Sequence, residues 1–158
     1  MRRKDREITD AAEIRAILES ARVMHLGLNA GDAPYVVPLH YGFRFDGGAL
    51  TLYFHCAKEG RKLELLRRDP RVFVEIDADE CLLPAAAACG WGAAYACVMC
   101  RARAAIVEDA AEKAEALALL MKTQTGREFA FDEKAAAAVT VVRLDAEELS
   151  AKARRRPE

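Results

Sequence analysis

The chain has 158 residues, 53% of them apolar and 31% charged, and a net charge of −1. That composition describes one folded domain with a real core and excludes a disordered chain. The near-zero charge provides no overall field for nucleic acid or anionic lipid, and no apolar run approaches the roughly 20 residues of a membrane span.

The opening, Met1 to Glu7, is a charged lead-in with no apolar stretch behind it, so no secretory signal is expected. Asp10 with Glu13 three residues on resembles a capping box. Ile14, Ile17, Leu18 and Ala21 then follow at the spacing of an amphipathic helix. Val23 to Leu28 reads as a first strand, with His25 expected as a satisfied core or edge residue. Asn29 to Pro34 is turn chemistry.

Tyr35 to Phe45 reads as one long strand. Tyr35, Val37, Leu39, Tyr41, Phe43 and Phe45 share a core face; Val36, Pro38, His40, Gly42 and Arg44 share the other. Pro38 cannot donate to a ladder, and Gly42 leaves room. The stretch is therefore either an irregular edge or a break where a planar ligand takes hydrogen bonds from main chain. Asp46-Gly47-Gly48 makes a hairpin turn into a second strand, Leu50 to Cys56.

The stretch Tyr53-Phe54-His55-Cys56-Ala57-Lys58-Glu59-Gly60-Arg61-Lys62 runs from that strand into a short helix stopped by Pro70. A strand-to-helix turn offers free backbone N–H groups and the positive end of a dipole. Gly60 allows close approach, Arg61 brings a planar fork and Lys62 a point charge. Two readings stand: a phosphate pocket, or a solvated basic helix start.

Val72, Val74 and Ile76 alternate with Phe73, Glu75 and Asp77 as another strand. Cys81 to Gly92 reads as a loop of small residues, placed at a subunit contact or over a pocket. Tyr95 to Val107 is a long strand. Glu108 to Thr123 is the strongest helix, with Ala111, Ala114, Leu117, Ala118 and Met121 as its apolar side. Val139 to Leu144 closes the fold as a final strand, and the basic tail from 150 to 158 is expected to fray. One domain over residues 1–158, mainly β with flanking helices and built as an antiparallel barrel or sandwich, fits this order better than a parallel sheet.

Cys97 and Cys100 form a CxxC, but inside a strand, where residues three apart face opposite sides. No second CxxC completes a zinc tetrad, although mixed ligands such as Cys81, Cys89 and His55 stay open. The five cysteines are expected as free thiols in a cytoplasmic protein, with no metal bound.

Tyr35-Val36-Val37-Pro38-Leu39-His40-Tyr41-Gly42, Leu52 through Lys62, and Leu65 through Val72 together resemble the pyridoxamine 5′-phosphate oxidase-like family of FMN-binding proteins. Within it, the resemblance is to the nitroimidazole-resistance (Nim-type) flavoproteins, whose usual start is also similar to Met1 to Ile8. The resemblance implies an antiparallel split β-barrel and a homodimer with one FMN per subunit at the interface. It implies that Arg61 and Lys62 hold the phosphate, that Val37, Pro38, Leu39 and His40 line the ring and ribityl side, and that His55, Cys56 and Ala57 close around the flavin. The expected activity is reduction of a small electron-poor substrate, with His55 as the residue near the reactive ring. The alternatives are a flavin- or heme-binding protein that stores or senses its ligand, and a metal-binding regulator using the cysteines. One stretch departs: Cys97-Val98-Met99-Cys100-Arg101-Ala102 stands where relatives commonly show a Ser-Val-Ile-Gly-x-Gly-type strand, which would reshape a pocket lined by that strand.

Overall fold

The structure is a computed structural model that describes residues 3–156. The ends of the lead-in and tail (Met1, Arg2, Pro157 and Glu158) lie outside the described residues.

Eight strands form one antiparallel sheet. They are β1 (Glu7–Ile8), β2 (Val23–Asn29), β3 (Pro34–His40), β4 (Gly42–Asp46), β5 (Ala49–Cys56), β6 (Arg71–Leu83), β7 (Gly92–Ile106) and β8 (Thr140–Arg154). Four helices flank it: α1 (Ala11–Ser20), α2 (Arg61–Arg68), α3 (Ala110–Thr125) and α4 (Glu133–Ala137). The strand order is β3-β2-β6-β7-β8-β5-β4, with β1 paired to β8.

That order explains the barrel. β3 and β4 stand at opposite ends of the sheet, yet only Tyr41 separates them in sequence. The sheet must therefore curl until its two edges nearly meet, and the chain itself bridges them. Among the described residues β3 and β4 do not pair, so the barrel is split. The long strands bend where register slips, between Ala78 and Cys81 on β6 and between Arg101 and Ala102 on β7.

The expected single strand from Tyr35 to Phe45 is thus two strands, each paired to a different neighbour. Its core face survives the break. Tyr41, Phe43 and Phe45 are buried, and Tyr35, Val37 and Leu39 pack against the same core. Tyr41 is completely buried; its hydroxyl donates to the Leu18 carbonyl at 2.8 Å, and burial pushes its pKa far upward. Gln124 at the end of α3 donates to the Tyr41 carbonyl at 2.9 Å. The crossing point is held from both sides by these bonds.

Gly42 has a different purpose from the one expected. A Cβ there would lie 2.4 Å from the Leu120 backbone nitrogen, so the room it leaves is filled by helix α3. The buried side of α3 is accordingly Ala116, Leu117 and Leu120, while Ala111 is exposed. The predicted stripe was displaced because α3 is wedged between β4, β5 and α4 rather than laid on one flat face. Leu117 and Ala116 join Tyr53, Val107, Ala136 and Val141 in a second, smaller core.

Three boundaries also differ. β6 and β7 extend into the expected loop, leaving only residues 84–91 outside strands. β8 continues to Arg154, where it pairs with Tyr95, so Lys152 to Arg154 are held in the sheet rather than frayed. The charged lead-in supplies β1, which pairs with that same tail through Glu7–Lys152 and Ile8–Ala151. The capping of α1 is as expected: Asp10 accepts from the Glu13 N–H at 2.9 Å, and Ile14, Ile17, Leu18 and Ala21 are buried.

Candidate functional site: the start of helix α2

Three of the four helices start on an aspartate that accepts from a backbone N–H. Asp10 does so for α1, Asp109 for α3 (from Glu112, 2.7 Å) and Asp132 for α4 (from Ala135, 2.7 Å). Helix α2 starts on Gly60, which has no side chain to offer. The Gly60 carbonyl accepts from Leu63 and Glu64 at 3.0 and 3.2 Å, as a helix start requires. The N–H groups of Arg61 and Lys62 precede that ladder and point out of the helix end.

Gly60 has φ 137°, a conformation that side-chain-bearing residues rarely adopt, and nothing lies within 4 Å of where a Cβ would stand. The place beside the helix start is open. The helix itself is not free to move, because Leu63, Leu65 and Leu66 are buried in the main core. Its start therefore presents free donors, a positive dipole end, one guanidinium and one ammonium from a fixed position.

Strand β3 is the second wall. The Arg61 guanidinium lies over the Tyr35 ring, 4.8 Å from its centroid, and so joins the start of β3 to the start of α2. Among the described residues β3 pairs only with β2, which leaves its other backbone edge free of ladder bonds. Val37 and Leu39 turn their side chains to the core, whereas Val36, Pro38 and His40 face outward. What β3 can offer a ligand is its free main-chain edge together with Pro38.

His40 is already engaged. Its Nδ1 lies 3.0 Å from the Arg22 carbonyl and 3.1 Å from Gln124 Oε1, both acceptors, so Nδ1 carries the proton in this arrangement. His55 is exposed at the end of β5, and Cys56 is half-buried beside it. Burial raises the Cys56 thiol pKa, against the pull of Lys62 and Arg67. His55, Cys56 and Ala57 thus lead directly into the open helix start.

β7 carries the divergent stretch. Cys97 and Cys100 are both buried free thiols, and Cys100 belongs to the main core whereas Cys97 does not. Burial raises both thiol pKa values, that of Cys100 to about 11. The sequence reading did not connect His25 with Glu75 and Asp77, which the structure brings together. His25 Nδ1 lies 3.1 Å from Glu75 Oε2 and 3.7 Å from Asp77 Oδ1. These residues are about 50 positions apart in sequence, and only the β2–β6 register could have revealed the meeting. Burial, together with the Asp77 carboxylate, raises the Glu75 pKa despite the opposing pull of His25.

The chain is similar to the crystal structure of a proposed 5-nitroimidazole antibiotic resistance protein from Bacteroides thetaiotaomicron. The identity is 28% and the TM-score 0.78, over 93% of this chain and 86% of that one. It is similar to a FAD-binding protein from Mesorhizobium loti at 25% identity and TM-score 0.67, over 95% and 98% of the two chains. The fold is shared with the flavocytochrome Anf3 of Azotobacter vinelandii, at 24% identity and TM-score 0.78, over 99% and 73%. No curated protein matches the chain. A family model described as pyridoxamine 5′-phosphate oxidase matches residues 10–153, nearly the whole split barrel, and the chain belongs to that family.

Proposed function

We propose that this protein binds FMN and passes electrons from a reduced donor to a small, electron-poor substrate. The observation that carries the reading is the uncapped start of α2, with Arg61 and Lys62 on it and Gly60 leaving it open. A phosphate monoester fits that place: it accepts the free N–H groups, pairs with the guanidinium fork and meets the ammonium charge. A flavin ring extending from it would run along the free edge of β3, where main-chain groups near Pro38 can bond its polar rim. Bound FMN would supply the redox chemistry, while the protein contributes position, electrostatics and access. We assign His55, exposed beside this turn, to the substrate side, where it can donate a hydrogen bond to a substrate being reduced. Among the similar proteins, the FAD-binding one supports a flavin, and the one proposed in nitroimidazole resistance supports an electron-poor substrate.

The same proposal includes a two-fold homodimer. The apolar face from Tyr35 to Phe45 does not supply the interface, because it fills the barrel's own core. The support comes instead from the outer sheet face. There Val36 (57% exposed) and Phe73 (48% exposed) flank Gly27 in cross-strand register and form an apolar shelf. Residence in the cytoplasm belongs to the proposal too, supported by five free cysteines. No helix among the described residues is long and apolar enough to cross a membrane.

The absorbance spectrum of freshly purified protein, followed by titration with added FMN, tests the cofactor. The two bands of oxidised flavin, or saturable FMN binding, are expected; neither would remove the reading. Reduction of a nitroimidazole with nicotinamide or deazaflavin donors then tests turnover, and light scattering at micromolar concentration should give twice the chain mass.

A further inference from the structure

We propose that His25, Glu75 and Asp77 form a binding site for a divalent first-row cation of the zinc type. The three residues stand on adjacent strands of one sheet face. His25 on β2 is the register partner of Glu75 on β6, and Asp77 lies two residues further along β6, on the same face. Their ligand atoms all lie within 4.8 Å of one another. The imidazole Nδ1 is 3.1 Å from one carboxylate oxygen and 3.7 Å from the other. Ligands held about 2.0–2.2 Å from one metal ion stand roughly 2.8–3.6 Å apart, depending on whether the angles are right or tetrahedral. The site is therefore near closing distance without movement of the backbone.

Charge points the same way. Among the described residues no lysine or arginine pairs with Glu75 or Asp77, so the imidazole is the one basic side chain paired with them. Two ionised carboxylates against one imidazole leave the cluster negative whether or not the ring is protonated. Lys152 lies two strands across the sheet, in the register Asp77–Cys97–Lys152, but its ammonium lies over the Tyr95 ring, 5.7 Å from the centroid. In the single chain all three ligand side chains are half-buried, at 44%, 34% and 38% exposure, which leaves coordination positions free for water, a small ligand or a group from a second copy. One imidazole and two carboxylates suit zinc, iron(II) or cobalt(II) better than calcium or magnesium, which favour oxygen alone. This site does not depend on the flavin reading.

Cobalt(II) is the probe, added to the chelator-treated intact protein in whatever assembly it forms, because the cluster shares its sheet face with Val36 and Phe73. The expected result is weak visible cobalt bands that saturate at one ion per chain, displaced by zinc. His25→Ala and Asp77→Asn should each weaken binding by at least about tenfold, since even residues outside the coordination sphere cost 10–100-fold. Far-UV circular dichroism confirms that each variant is folded, and the place of both residues outside the core makes two folded variants the expected outcome. Three results overturn the proposal: no saturable cobalt binding, binding unchanged in both variants, or intense near-ultraviolet thiolate bands that place the ion on cysteine sulfur.

Discussion

Helices α1 and α2 are of similar length and both bury their leucines or isoleucines in the main core, yet they begin in opposite ways. α1 closes its own end with Asp10; α2 leaves its end open at Gly60. A helix that serves only the fold gains about 1 kcal/mol from an aspartate cap over alanine, and roughly a few tenths of a kcal/mol over glycine. α2 forgoes that gain, keeps a glycine at φ 137°, and collects two cationic side chains beside donors that already carry partial positive charge. Stability alone does not favour such an arrangement, and in the function proposed above the FMN phosphate completes it. With that proposal, the contrast separates a helix end made for folding from one made for binding.

The largest test of that contrast is the double variant Arg61→Ala/Lys62→Ala. It removes two charge-assisted contacts worth about 1.5–3 kcal/mol each. FMN affinity should fall about 10²- to 10⁴-fold in a fluorescence titration, while the circular dichroism spectrum stays that of the parent. Unchanged affinity would return α2 to the class of solvated basic helix starts.

Gly42 sharpens the comparison from the side of folding. Gly42→Ala places a Cβ against the backbone of α3 at Leu120, which cannot yield as a flexible side chain would. Overpacking of this kind costs about 1–3 kcal/mol, or roughly 2–12 °C in Tm for a chain of this length. A variant melting with the parent would mean that α3 does not rest on β4 as described.

The smallest effect concerns an ordinary cap. Asp109→Ala removes the bond to the Glu112 N–H at the start of α3 and should lower stability by about 1 kcal/mol, or about 2–4 °C in Tm. FMN affinity should not change. A loss of FMN affinity as large as that of the α2 variant would break the distinction between the two kinds of helix end.

Much of this was legible locally. The spacing of Ile14, Ile17 and Leu18, the alternation from Leu50 to Cys56 and the run from His55 to Lys62 each report on neighbours a few residues away. Side-chain period and helix-start chemistry are short-range properties, so the core faces, the strand-to-helix turn and its positive charge could be read directly. Other features depended on distant chain. A strand pattern continues unchanged through Tyr41 although the backbone there leaves one sheet edge for the other, because alternation reports which face is apolar and not which strand is the partner. Gly42 looks the same in sequence whether a ligand or a helix fills its space, and only the packing of α3 decided for the helix. The charged ends of the chain looked solvated until β1 and β8 were seen to satisfy each other's backbone groups. His25, a lone histidine in sequence, acquired Glu75 and Asp77 through strand register, which is settled by burial of the opposite face and by no residue of the cluster itself.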